Sequence, residues 1–344
     1  MLPLKRQSDC LHPARDRSGV PAFSLRRARP HVLTFARPNR NLRGPREPGE
    51  GAMTRNDLVR PDVQRFALGQ MRVTTILDGA QMRSPLNPPF AMDKDEDALR
   101  AIGAAHRLPW DRFQNNYVPT LIDTGTDLVL IDVGFGAVGR ESGAGHLRAR
   151  MERVGYLPGD VTVVAFTHVH PDHILGVMED GAPAFPNARH AIGRREFDEW
   201  KRGDLIPPQR AKNREMFLDL IAPMEERLTF LEDGDSVVPG LTAEAAFGHS
   251  VGHMMFRAES EGRQMLVWGD VCNHYVFSMQ YPDSPVGFDD DKDAAIATRR
   301  RVLDMAASDD LLIAGHHMPF PATGYVERAG DGFRWVPAAY QIWT

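Results

Sequence analysis

The sequence predicts a mixed α+β protein. Three observations carry that expectation: short β-branched apolar runs recur along the chain, charged segments with helical apolar spacing separate them, and four of the runs end in histidine or aspartate. The densest of these ends is Thr167-His168-Val169-His170-Pro171-Asp172-His173, directly after the apolar run at 161–166.

Composition bounds the answer. With 344 residues, 42% of them hydrophobic, and a net charge of −5, the chain suits one large domain or two small ones. Its two cysteines, Cys10 and Cys272, form no C-x-x-C pair and are too few for a disulfide framework, so a reducing, cytoplasmic setting is expected. No apolar run approaches the roughly 18 residues of a membrane helix. The first 52 residues carry eleven basic and four acidic side chains, a charge of +7 that leaves −12 for the remainder. This stretch is rich in proline and glycine and lacks apolar periodicity, so residues 1–52 are expected to be a disordered basic extension. It also lacks the apolar core of a secretory signal. Translation is expected to start at Met53, with the catalytic domain over 53–344. The acidic main body argues against a nucleic-acid partner.

Taken in order, residues 66–77 read as one or two strands closing at Asp78-Gly79. The proline-rich stretch 80–113 reads as irregular, with Phe90 and Trp110 on a loop of the kind that borders sites. Strands at 117–123 and 128–133 form a hairpin turned at Thr124-Gly125-Thr126. The latter ends in Asp132-Val133-Gly134-Phe135-Gly136, part of a formal G-x-G-x-x-G. A dinucleotide site is disfavoured because the preceding strand belongs to a hairpin and the next strand ends in histidines instead of an acidic ribose ligand. A helix spans 145–155, then the strand at 161–166. In a strand, alternate side chains share a face, so His168 and His170 point the same way. Pro171 then turns the chain and brings Asp172 and His173 in from another direction.

A strand at 188–192 follows, then a helical, charged stretch over 194–230 with Phe197, Trp200 and Phe217 on its apolar side. Strands at 241–247, 254–258 and 264–268 lead to Gly248-His249-Ser250-Val251-Gly252-His253 and to Gly269-Asp270. A helix at 292–306, a strand at 311–314 ending in Gly315-His316-His317, and a hairpin over 325–336 complete the chain. Seven of the eight His and Asp side chains at these four strand ends suffice for two metal ions with one bridging carboxylate.

At these residues the chain resembles the metallo-β-lactamase fold hydrolases, through the H-x-H-x-D-H strand end, G-H-S-x-G-H, the strand-G-D and the late G-H-H. The resemblance covers residues 60–340 and implies a four-layer αββα sandwich with the metals in the cleft between two sheet edges. Carried over by position, His168, His170 and His249 hold one ion and Asp172, His173 and His317 the other, with Asp270 bridging. His317 is preferred to His316 because it opens His317-Met318-Pro319-Phe320-Pro321-Ala322-Thr323-Gly324, which matches the H-x-x-F-P-x-x-G of one family branch. Asp132 matches the strand-D-x-G element whose aspartate supports the metal histidines. That branch contains methyl parathion hydrolase and related lactonases. The branch's organophosphate enzymes are exported, whereas this sequence shows no signal peptide. The bridging aspartate argues against β-lactamase activity, and the closing hairpin departs from the helical C-terminal domain of the hydroxyacylglutathione hydrolases.

The implied ligand set of imidazole and carboxylate suits zinc and tolerates manganese, cobalt, nickel or iron. Water shared by two such ions is hydroxide near neutral pH, set to attack an ester, lactone or phosphotriester, with Asp172 orienting it and returning a proton. Phe90, Trp110, Phe135 and Trp200 suggest an apolar mouth for a small, partly apolar substrate, and a homodimer is compatible with the chain. Rival readings are a metal-dependent oxidoreductase of dioxygenase type on the same fold, and a non-catalytic, metal-stabilised binding module.

Overall fold

The β-branched runs pair into two seven-stranded sheets. The structure, a computed structural model, describes residues 60–339; the expected basic extension over 1–52 lies outside the described residues. In chain order, β1 (Val63–Leu68) and β2 (Met71–Ile76) begin the first sheet, and β3 (Gly79–Arg83) and β4 (Phe113–Tyr117) form a separate ladder. The first sheet continues with β5 (Thr120–Asp123), β6 (Leu128–Ile131) and β7 (Val163–Ala165). A short ribbon of β8 (Met178–Glu179) and β9 (Ala182–Pro183) precedes its last strands, β10 (Arg189–Gly193) and β11 (Leu228–Leu231). The second sheet runs in sequence order through β12 (Ser236–Val238), β13 (Leu241–Ala245), β14 (Met254–Ser260), β15 (Arg263–Val267), β16 (Leu312–Ala314), β17 (Thr323–Ala329) and β18 (Gly332–Pro337). The helices are α1 (Glu96–His106), α2 (Leu147–Arg153), α3 (Pro171–Ile174), α4 (Arg194–Arg202), α5 (Ala211–Leu220) and α6 (Lys292–Ser308).

Three buried clusters define the layers. Val73, Ile131 and Val163 of the first sheet meet Leu241, Phe256 and Val267 of the second. On the first sheet's other face, Leu130 and Ile192 pack with Met151 of α2, Phe197 and Trp200 of α4, and Phe217 of α5. On the second sheet's other face, Leu266 and Ile313 pack with Val302, Leu303 and Ala306 of α6. The result is the αββα sandwich that the family resemblance implies. Each fully buried large apolar side chain stabilises it by roughly 1.5–3 kcal/mol relative to exposure. Strands β6, β7 and β10 are parallel neighbours, as are β15 and β16. Such strands are covered on both faces, which explains why 161–166 reads as a continuous apolar run instead of an alternating one.

Several expectations need correction. The stretch 80–113 is not wholly irregular: it holds β3 and α1. Asp95 caps α1 by accepting the Ala98 amide at 2.8 Å, and Leu99 and Ile102 face inward. Residues 194–230 are not one helical stretch. Pro207 and Pro208 stand between α4 and α5, and β11 then joins the first sheet parallel to β10. The strand at 117–123 splits, because β4 leaves the first sheet to pair with β3. Among the described residues, no helix is long and apolar enough to cross a membrane.

Candidate metal centre

Strand β7 ends at Ala165; Phe166 N–H still reaches the Ala191 carbonyl at 2.9 Å, and side chains then take the amides of Thr167 and Val169. Thr167 N–H donates to Asp132 Oδ1 at 2.9 Å, and Val169 N–H donates to Glu196 Oε1 at 3.0 Å. His168 and His170 therefore stand on a loop braced by carboxylates, not on the pleated strand that alternation predicts. They converge nonetheless, with His168 Nε2 2.9 Å from His170 Nδ1. His249, from the β13–β14 loop, places its Nε2 3.0 Å from that same Nδ1.

A second group lies alongside. Asp172 and His173 on α3, and His316 and His317 beyond β16, bring ligand atoms within 4.8 Å of one another. Asp270, just past β15, stands between the groups. Its Oδ2 is 3.1 Å from His249 Nε2 and 2.8 Å from His317 Nε2, and its Oδ1 is 3.4 Å from His173 Nε2. His173 Nε2 and Asp270 Oδ1 are buried without a hydrogen-bond partner. Orphaned buried atoms of this kind are costly unless something else satisfies them. Imidazole and carboxylate donors aimed at shared points fit two divalent cations, and zinc suits that donor set.

The ligand rings are held from behind. His173 Nδ1 lies 2.8 Å from Asp132 Oδ2, His249 Nδ1 2.9 Å from Asp289 Oδ1, and His170 Nε2 3.5 Å from Asp290 Oδ2. His317 Nδ1 donates to the Asn116 carbonyl at 2.7 Å. The contacts of His173, His249 and His317 fix the tautomer, leaving the opposite nitrogen's lone pair for a metal, whereas the longer Asp290 approach is not a hydrogen bond. Asp132 takes a left-handed conformation, φ 60°, to reach both Thr167 and His173. Gly134 follows at φ 66°, where a Cβ would come within 2.5 Å of the Asp78 carboxyl carbon. These glycines therefore serve the turn, with no nucleotide needed to explain them. His253 accepts the Asp270 amide at 3.0 Å and so fixes the backbone of Asp270 beside the histidines.

Of these braces, the sequence identified only Asp132. Asp289 and Asp290 were visible as an acidic run, but Asp289 meets His249 across 40 residues of chain. Glu196, the first-turn acid of α4, is fully buried and accepts Val169 N–H, Ser250 Oγ–H at 2.6 Å and Gly252 N–H at 2.8 Å. It ties the His168–His170 loop to the His249 loop. Burial raises its carboxyl to about 7 against the pull of these three donors.

Charge is arranged for cations. Burial and the neighbouring rings His173 and His170 hold His168 well below the usual histidine range, so it stays a neutral donor. Burial opposes charge on His173, yet Asp132, Asp270 and Asp172 together raise it well above that range. His249 behaves alike, lifted to about 9 despite its burial, chiefly by Asp270. Burial would raise Asp270, but His317, His173 and His249 draw it well below the usual carboxylate range. The buried carboxylates thus favour positive charge at the positions where metal would stand.

The centre opens on a cleft of about 230 Å³. Of the four aromatics expected at its mouth, Phe135 lines it, edge-on to Tyr117 at 4.7 Å, and Phe288 joins it unforeseen. Phe90 and Trp200 are instead fully buried. Phe90 packs edge-on to Phe113 and Phe288, and Trp200 sits on the apolar face of α4 with Nε1 donating to Ser250 Oγ at 3.0 Å. Trp110 packs against the Phe90 cluster under the Arg100 guanidinium, 3.7 Å from its ring centroid, and does not line the cleft. Helical spacing buries large aromatics more often than it exposes them, which accounts for the Trp200 correction.

Comparison with known proteins bears on this geometry. The family model described as the metallo-beta-lactamase superfamily matches residues 114–317. No curated protein sequence matches. Among solved structures, AidC, a dizinc quorum-quenching lactonase in complex with a product, superposes with TM-score 0.76 at 23% identity, over 81% of this chain and 98% of that one. The hydrolase AbOPH of the beta-lactamase superfamily gives 0.75 at 25% identity, over 83% and 100%. A probable metal-dependent hydrolase from Staphylococcus aureus gives 0.63 at 19%, over 79% and 99%. The family match spans more than half of the sequence and encloses the ligand set from His168 to His317, so the chain belongs to the metallo-beta-lactamase superfamily and is a metal-dependent hydrolase.

Proposed function

We propose that this protein is a binuclear metallohydrolase that cleaves an ester, lactone or phosphotriester bond. One observation carries the reading: two groups of buried ligand atoms meet at a single carboxylate, Asp270, on the floor of an open cleft. His168, His170 and His249 would hold one ion, Asp172, His173 and His317 the other, with Asp270 shared. When bound, two divalent ions, zinc in the first instance, supply Lewis acidity and lower the pKa of water toward neutrality.

The chain's own residues do the rest. Asp172 is the most exposed of the ligands, with its side chain 16% accessible, and lines the cleft 3.5 Å from His317 Nε2. Its carboxylate is placed to orient the attacking water and accept its proton. As the new C–O or P–O bond forms and the bond to the leaving oxygen breaks, Asp172 returns that proton to the leaving group. Tyr117, raised to about 12 by burial and by Asp172, stays a neutral wall of the cleft. Phe135 and Phe288 supply apolar surface for a small substrate, in line with the lactone-derived product, an N-acyl homoserine, bound to AidC.

The test is hydrolysis by metal-free protein reloaded with zinc, manganese or cobalt, assayed on acyl-homoserine lactones, aryl esters and phosphotriesters. Activity in at least one class that is absent from the metal-free protein is expected. No turnover of any class with any metal would overturn the proposal.

A further inference from the structure

The cleft is lined by two arginines, and their surroundings differ. Arg210 is neutralised, its Nε donating to Asp290 Oδ1 at 2.8 Å while Nη2 donates to the Phe288 carbonyl. Arg83 meets only uncharged oxygens among the described residues: Nη2 donates to Gln81 Oε1 at 2.8 Å and to the Tyr117 hydroxyl at 3.1 Å. A guanidinium in water needs no partner, and an exposed arginine is ordinarily just solvated. Arg83, however, is braced. Gln81 Oε1 also accepts from the Tyr117 hydroxyl at 2.9 Å, and Gln81 Nε2 is tied to Ser142 Oγ at 2.6 Å.

The β3–β4 ladder explains the placement. Its register pairs Arg83 with Phe113, Gln81 with Asn115 and Gly79 with Tyr117, so Arg83, Gln81, Asn115 and Tyr117 share one face of the ladder. Arg83, Asn115 and Tyr117 all line the cleft. Tyr117 spans the gap to the metal centre, its hydroxyl on Arg83 and its ring centroid 5.7 Å from that of His317. The Tyr117 hydroxyl accepts from Arg83 and donates to Gln81, so the contact brings no opposite charge to the arginine. A pre-oriented guanidinium whose Nη2 is held by Gln81 and Tyr117 is suited to charge-assisted donation to a carboxylate from Nε or Nη1, at low ordering cost.

We infer that Arg83 is a specificity residue that binds a carboxylate on the substrate, one ring's length from the bond being cut. The substrate class is therefore an ester or lactone bearing a free carboxylate, with an apolar or aromatic segment between the two groups lying against Phe135 and Phe288. This inference rests on the hydrolase reading for its scissile bond, but the carboxylate contact can be measured without turnover.

Two measurements test it on the full-length, zinc-loaded protein. The first compares kcat/KM for 4-carboxyphenyl acetate with that for phenyl acetate, in wild type, Arg83→Met and Arg83→Lys. The preference for the carboxylated ester is expected to fall about 10- to 100-fold in Arg83→Met, through KM, with partial recovery in Arg83→Lys. The second titrates the uncleavable ethers 4-methoxybenzoate and anisole by calorimetry. Binding of 4-methoxybenzoate should weaken by a similar factor in Arg83→Met. Equal binding of 4-methoxybenzoate by wild type and Arg83→Met, or a preference ratio changed less than about twofold, overturns the assignment. If neither ester is cleaved, the hydrolase reading is in question and the calorimetry alone decides the role of Arg83.

Discussion

The Glu196 carboxylate accepts the backbone amide of Val169, the one residue between His168 and His170, at 3.0 Å. The same carboxylate holds Ser250 and Gly252, beside His249, so a single buried side chain sets the spacing of three ligand rings. Replacing it with alanine strands two amides and a hydroxyl in the interior, each costing about 1–3 kcal/mol. Glu196→Ala is expected to lose about 3 kcal/mol or more in urea unfolding and at least tenfold in metal affinity in chelator competition. Unchanged metal affinity in a folded Glu196→Ala protein would show that the loops hold their geometry without it.

His316 and His317 both reach the second metal group, with ring centroids 4.9 Å apart. They differ in their backing. His317 is fixed by the Asn116 carbonyl and reaches Asp270 at 2.8 Å, whereas His316 Nε2 is buried without a hydrogen-bond partner beneath His173, centroids 4.1 Å apart. His317→Ala is expected to bind about one metal per chain by mass spectrometry and to lose about 100-fold or more in activity. His316→Ala should keep both metals. The reverse pattern would move the ligand assignment to His316.

His274 titrates away from the metal ligands and gives a pH signature. Burial, with a smaller push from His106, lowers it to about 3, and its Nδ1 accepts the amides of Val276 and Phe277 at 3.0 and 3.3 Å. An unfolded chain protonates this ring near its ordinary value of 6.5, so between 6.5 and about 3 the unfolded state holds the extra proton. The stability His274 contributes is therefore complete above pH 6.5 and is lost as pH falls through that window, at up to about 1.4 kcal/mol per pH unit. Chemical denaturation of His274→Gln across the same range should show a slope shallower by about that amount. An identical slope would mean the ring is already protonated in the fold.

The candidate metal ligands were legible because their signal is local. H-x-H-x-D-H lies within six residues, and His249, Asp270 and His317 each follow an apolar run that could be read as a strand. Most strands of the two central sheets were legible for the same reason; β11 and β12 were not. Residues whose meaning depends on a distant partner were not: Glu196 reads as one more charge on a charged helix until Ser250, 54 residues on, is brought against it. Trp200 misled in the opposite direction. An aromatic in a polar segment suggested a substrate contact, but α4 turns it onto the core. In 80–113 the prolines hid the Asp95 cap that starts α1 and the strand that carries Arg83.

By itself, the sequence determined the donor chemistry: which imidazoles and carboxylates stand at strand ends, and that no thiolate joins them. Tertiary structure alone decided how those donors group near Asp270, which carboxylates stand behind them, and which arginine in the cleft has a carboxylate beside it. Ligand type is a property of a side chain, written in one residue. Convergence, desolvation and charge compensation are properties of pairs. They exist only once two sheets stack and bring residues far apart in the chain within a few ångströms.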